Sequence, residues 1–207
     1  HFLVRGILRW RFYGEIPDAP KYVAIVAPHT SNWDFFILFM ASRAIDLPFP
    51  NFAAKHTVFK GPIGWMLEKV GGIPINRTQR YNVVQQLVDA YNSRERMILG
   101  ITPEGTRSKS EYWRSGFYHI AQGAGIPLAL IWIDYPTKTA GIMPVALPTG
   151  DVEADMASIR AFYAGCRGRH PELQSEARLR PTTATNLEPQ QPPTVKPPKA
   201  HVFPIPK

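Results

Sequence analysis

The sequence predicts a single α/β domain with a mostly parallel central sheet flanked by helices. Three observations lead there. Short apolar, β-branched runs alternate with helix-period segments along most of the chain; the runs are apolar enough to be covered on both faces; and each is closed by Pro, Gly or a polar cluster. At 207 residues and 44% hydrophobic composition, the chain suffices for one domain with its own core.

The elements follow in order. The stretch HFLVRGILRWRFYG sets Phe2, Leu3, Val4, Ile7, Leu8, Trp10 and Phe12 among Arg5, Arg9 and Arg11. It predicts an amphipathic interfacial segment over residues 1–20, on a membrane surface or packed against the domain. It is too short to cross a bilayer, which takes about 20 apolar residues, and lacks a signal peptide's apolar core and cleavage site. KYVAIVAP (21–28) reads as a buried strand closed by Pro28, with Ser31 or Asn32 capping a helix over Trp33 to Ile45. NFAAKH (51–56) is a second strand, GPIGWMLEKVGG (61–72) a short helix with Pro62 near its start and Gly71 at its end, and IPINR (73–77) a third strand. Val83, Val84, Leu87, Val88 and Tyr91 recur at helical spacing and give a helix over 81–94.

RMILGIT (96–102) is a strand running into a Pro/Gly loop, and WRSGFYHIAQGAG (113–125) is a helix. IPLALIWIDY (126–135) and GIMPVAL (141–147) are strands, and DVEADMASIRAFYAGCR (151–167) is a last helix whose acidic start suits a helix N-terminus. The domain is thus expected over 21–179. From 180 to 207, eight prolines in 28 residues without periodicity predict a disordered or extended tail.

A formal charge of +8 and a pI near 9.7 favour an anionic partner: nucleic acid, a membrane surface or a phosphorylated small molecule. The basic residues are scattered, with no zinc-finger spacing, RNP-like motif or long Lys/Arg block, which sets nucleic acid aside. The one cysteine, Cys166, forms no internal disulfide and has no neighbours at zinc-site spacing, so no metal is expected and a reducing, cytosol-facing environment fits.

Four strands end in polar residues, in PHTSNWD, AAKH, INRT and TPEGTRSKS, and in an α/β sheet such carboxyl-end loops build the site. His29 and Asp34 stand five apart. On a continuous helix that is about 140° around the axis, so they meet only if the chain turns between them. Pro28 disfavours helix, and Thr30, Ser31 and Asn32 supply turn and capping residues. Asp34 then accepts the Nδ1 proton of His29 and leaves Nε2 as a base. The plain alternative is a loop histidine and a carboxylate that merely favours the helix dipole.

In TPEGTRSKS, Gly105 lets a ligand approach the backbone, Arg107 suits bidentate phosphate contact and Lys109 adds a point charge. The spacing is not a Walker loop, and the plain alternative is a surface turn with a Glu104–Arg107 ion pair. Arg77 and Lys55, each following a strand, can reach the same rim to bind an anion. Lys60, in FKGPIGW, flanks either an acyl groove or an ordinary packing helix.

In this order, HTSNWD, FKGPIGWMLEKVGGIPINR, PEGTRS and GIPLAL resemble the four sequence blocks of the PlsC-like glycerolipid acyltransferases, the family containing the 1-acylglycerol-3-phosphate acyltransferases, over roughly residues 21–145. The resemblance implies a glycerol-3-phosphate acyltransferase-like fold. It implies direct transfer of a fatty acyl group from an acyl-CoA or acyl carrier protein thioester to the hydroxyl of a lysophospholipid, most simply 1-acylglycerol-3-phosphate to give phosphatidate, with no further cofactor. His29 would be the general base and Asp34 its orienter. Arg77 and Arg107 would bind the acceptor's phosphate, with Glu104, Gly105, Thr106 and Ser108 completing the third block and Lys55 and Lys109 close by. Backbone amides near Gly105 or Gly72 would stabilise the oxyanion.

The implied location is the cytoplasmic face of a membrane, held peripherally or by an anchoring segment ahead of His1. Pro28 stands where many members have Asn, and the third-block strand ends in GIT rather than an aromatic. Other acceptors, glycerol 3-phosphate or another lyso-lipid, stay open. So does a non-catalytic lipid-binding scaffold of the same fold. A metal-dependent hydrolase using His29 and Asp34 lacks a third and fourth ligand.

Overall fold

The computed structural model describes residues 9–48, 50–76, 80–145 and 147–181. Residues 1–8 of the expected interfacial segment, residues 182–207 of the expected tail, and Arg77 lie outside the described residues.

Strand β2 (Lys21–Ala27) is the centre of the sheet. All its residues after Lys21 are buried, which is why it reads as a continuous apolar run rather than an alternating one. It pairs in parallel with β5 (Met97–Ile101) on one side and with β6 (Leu128–Asp134) on the other. β7 (Thr139–Pro144) returns antiparallel to β6, and β1 (Arg11–Gly14) lies parallel to β7 at the edge, giving the order β1-β7-β6-β2-β5. A second parallel pair, β3 (Phe52–Lys55) with β4 (Gly72–Ile75), carries the sheet on past β5. The join is Asn51, whose N–H donates to the Ile98 carbonyl and whose carbonyl accepts from the Gly100 N–H.

The helices divide unequally between the two faces. α3 (Arg80–Asn92), α4 (Gly116–Ala124) and α5 (Val152–Tyr163) cover one face, where Leu87, Tyr91, Phe117, Ile120 and Met156 pack with Val23, Ile25, Leu99 and Leu128. α1 (Trp33–Ala44) covers the other, where the alternate residues Tyr22, Ala24 and Val26 meet Ala129, Ile131 and Ile142. α2 (Gly61–Lys69) links β3 to β4. At α5 the Asp151 side chain accepts the Ala154 N–H and Glu153 and Asp155 fill the first turn, the acidic start the sequence predicts.

Three local expectations need correcting. Residues 11–14, read as part of an amphipathic interfacial segment, form edge strand β1, and Trp10 is buried with Ile37, Ile133 and Ala140. The aromatic residues there suit a strand equally well, and the free edge of β7 decides between the two. The last strand begins at Thr139 rather than residue 141, because Lys138 adopts a left-handed φ of 51° and closes a tight turn that pairs Asp134 with Thr139. The helix expected from residue 113 starts at Gly116, because Trp113 instead bridges to Leu179.

The buried Tyr163 of α5 ties this scaffold together near the carboxyl ends of the parallel strands. Its hydroxyl proton is shared between the carbonyls of Ile25 in β2 (2.9 Å) and Ile131 in β6 (3.1 Å). Tyr163→Phe leaves buried carbonyls short of a donor, and urea unfolding should show a loss of about 1–3 kcal/mol.

Candidate active site

The chain leaves β2 at Ala27, and residues 28–32 form the turn that enters α1 at Trp33. The turn folds back on itself through Asp34. The Oδ2 atom of Asp34 accepts the N–H groups of Thr30 and Ser31, each at 2.8 Å, and lies 3.2 Å from Nδ1 of His29. Its Oδ1 accepts the hydroxyl of Tyr135 at 2.8 Å. Asp34 is completely buried, whereas the His29 side chain is 22% exposed. Burial pushes the Asp34 carboxyl up, but the hydrogen bonds from His29, the Ser31 N–H and Tyr135, with the charge of His29, together hold it below its ordinary value. An ionised, fully bonded Asp34 places the proton of neutral His29 on Nδ1 and leaves Nε2 as the basic atom. The pairing expected from the five-residue spacing is present, and the helix-dipole alternative does not account for it.

The third-block loop, following β5, sits against the same turn. Glu104 is 2% exposed, and its Oε1 accepts the backbone N–H of His29 at 3.1 Å. Its Oε2 has no hydrogen-bond partner among the described residues. Burial, with the charge of Asp34 adding to it and His29 opposing, raises the Glu104 carboxyl to about 7. Glu104, expected among the acceptor-binding residues, therefore lies beneath the turn as a support for His29. It forms no ion pair with Arg107. Arg107 instead donates from Nη1 to the Asn32 side-chain oxygen, which brings its exposed guanidinium alongside the His29–Asp34 turn.

Gly105 has a left-handed φ of 68°, but the space above it is taken: an added Cβ would lie 2.4 Å from Nε of Arg114. Its N–H donates to the Thr102 carbonyl, so that amide is already engaged. Gly72, the other expected amide position, lies within the β3–β4 pair. Thr106 holds the loop by accepting the Ser108 N–H on Oγ1 at 3.3 Å, and Lys109 is exposed. Because β3 runs parallel to β5, exposed Lys55 at its end shares the carboxyl edge of the sheet, although no hydrogen bond joins Lys55 or Lys109 to the pair among the described residues.

Two contributors escape the sequence reading. Tyr135 directly follows β6; Trp10 meets its ring edge-on at 5.2 Å, and its N–H donates to the Arg167 carbonyl. The segment after α5 closes over the turn, where the His170 N–H donates to Oγ1 of Thr30 and a Cβ on Gly168 would sit 2.5 Å from that same oxygen. Arg169 of this segment lies over the Trp33 ring at 5.5 Å. The available signal for Tyr135 was its place at the end of a parallel strand, the edge on which every other site residue was sought.

Beside His29 a cavity of about 1050 Å³ opens between α1 and the sheet. Val26, Leu38, Ala41, Ile131 and Ile142 form its apolar walls, and it extends to Lys69 and Val70 at the end of α2. Among the described residues, α1 is the one helix on this sheet face. Among the described residues, no group of three or more His, Cys, Asp or Glu side chains is placed to hold a metal ion.

These features define an α/β protein with an oriented imidazole at a strand end and an apolar cavity next to it. The Acyltransferase family model matches residues 11–134, more than half of the chain, and the chain belongs to this family, the PlsC-type acyltransferases. The match runs from β1 through β6 and stops one residue short of Tyr135. No curated protein matches the chain.

Glu104 yields a pH test. Its folded carboxyl is raised above the ordinary value of 4.5, so its favourable contribution is complete below pH 4.5 and is lost as pH rises through about 7. Urea unfolding at a series of pH values should show Glu104→Gln gaining on the wild type by about 3 kcal/mol across that window.

Proposed function

We propose that this acyltransferase moves a fatty acyl group from the thioester of acyl-CoA or acyl carrier protein to the hydroxyl of a lysophospholipid, foremost 1-acylglycerol-3-phosphate, to give phosphatidate. The observation that carries the proposal is the buried, four-times-bonded Asp34 presenting His29 at the mouth of an apolar cavity. At about 1050 Å³ the cavity is at the upper end of ligand pockets, which run roughly 300–1,000 Å³. Its apolar walls suit an acyl chain.

The chemistry balances without a covalent enzyme intermediate. Nε2 of His29 takes the proton of the acceptor hydroxyl as its oxygen attacks the thioester carbonyl. The tetrahedral intermediate collapses, the C–S bond breaks, and the imidazolium returns its proton to the departing thiolate. Asp34 fixes the imidazole tautomer and stabilises the imidazolium. Arg107, held beside the turn by Asn32, takes the phosphate of the acceptor, and Arg77 and Lys109 add positive charge. The reaction takes place at the cytoplasmic face of a membrane, with the protein bound peripherally or by an anchoring segment.

The test is a thiol-release assay with acyl-CoA and a panel of acceptors. His29→Ala should lower kcat by about 10²–10⁴-fold while the protein stays folded, and an unchanged rate would overturn the mechanism. Arg107→Ala should raise the KM of a phosphate-bearing acceptor by roughly tenfold or more and leave an uncharged acceptor little affected. Equal losses on both acceptors would remove Arg107 from phosphate binding.

A further inference from the structure

The segment FKGPIGWMLEKV, which suits either an ordinary packing helix or one flanking a lipid or acyl groove, leaves most of its apolar side chains bare. Within α2 only Gly64 is buried, its Cβ position filled by the backbone of Phe59 just ahead of the helix, and Leu67 is half-buried. Ile63, Trp65 and Met66 are all more than half exposed, at 64%, 65% and 53%. Large apolar side chains left this bare call for a partner surface. Nor is α2 alone: of twelve large hydrophobic residues exposed among the described residues, nine fall between Trp33 and Val70, on α1, on α2 and its C-terminal cap, and on the segment joining the two helices. Such concentration marks a docking surface rather than the usual scatter.

We infer that α2 and the outer side of α1 form one face that inserts into the headgroup and upper acyl region of a bilayer carrying anionic lipid. Two observations choose lipid as the occupant. The face is continuous with the cavity, since Phe35 of α1 and Val70 after α2 both line it, so a chain could pass from the leaflet to His29 without crossing water. Basic residues border the face: Lys60 and Lys69 are exposed at the two ends of α2, and Nζ of Lys69 lies 5.6 Å from the centre of the Trp65 ring. Aromatic and basic side chains in this arrangement suit the membrane interface. No helix among the described residues is long and apolar enough to cross a membrane, so insertion here means lying in the interface. The inference rests on the lipid-acyltransferase reading for its purpose and on surface chemistry for its occurrence.

Flotation of the full chain with vesicles tests it. The wild type should float with phosphatidylcholine–phosphatidylglycerol vesicles more than with phosphatidylcholine alone. Trp65→Ser/Met66→Ser should weaken partitioning by about 30-fold or more, and Lys60→Glu/Lys69→Glu by at least tenfold on the anionic vesicles only. Brominated acyl chains should quench wild-type tryptophan emission, and Trp33→Phe/Trp65→Phe, which keeps the face apolar, should lose that quenching while still floating. Three results would overturn the inference: a wild type that stays with the buffer, a serine pair that floats as well as the wild type, or serine substitutions that turn a dimer into a monomer without changing flotation. Flotation without acyl transfer would refute the proposed reaction and leave the docking face standing; transfer to a short-chain soluble acceptor without flotation would do the reverse.

Discussion

The buried carboxylate of Asp34 is the constraint on which the rest of the site depends. A charge with no exposure is tolerable only if its lone pairs are filled, and here Thr30, Ser31, His29 and Tyr135 fill them. Those partners come from the turn after β2 and from the start of the β6–β7 turn. Satisfying one carboxylate therefore fixes the relative position of two strand ends and, through the Tyr135–Arg167 hydrogen bond, of the segment that follows α5. His29 is held twice, through its ring by Asp34 and through its backbone N–H by Glu104. An imidazole whose orientation is set by both its own turn and a neighbouring loop has little freedom left to lose.

The unequal covering of the sheet supplies the other half of the site. Among the described residues, three helices close one face into a continuous core, whereas α1 alone spans the opposite face, with the cavity between itself and β2, β6 and β7. The same helix carries Asp34 in its first turn and apolar walls further along. One element thus links the orientation of the base to the shape of the space beside it.

Much of this was legible in local sequence. The parallel sheet could be read because its strands are covered on both faces and so lack alternation, and the His29–Asp34 pairing because Pro28 and three turn-forming residues rule out a continuous helix between them. Tyr135 was not legible, since its bond to Asp34 spans 101 residues and leaves no periodic trace. Glu104 and Arg107 were found as residues but not as an arrangement: three positions apart in a Gly-containing loop, they could have paired with each other, and only the third-block fold shows that one turns inward to His29 and the other outward to Asn32. For α2, apolar content alone could not separate a packed helix from a bare one, because the difference lies in which of the other described residues pack against it.

The reversal at β7 has a consequence for how the molecule is oriented in space. Because β7 runs against β6 and β1 follows β7, Arg11 stands at the same edge of the sheet as the carboxyl end of β2, and the contact of Trp10 with Tyr135 places it there. At the other end of the described chain, the Leu179 bridge to Trp113 returns the backbone to the loop side as well. Both ends of the domain thus leave from the rim that holds His29. An attachment close to Arg11 or Leu179 would turn the rim that holds His29 toward its anchor and the amino ends of the parallel strands away from it.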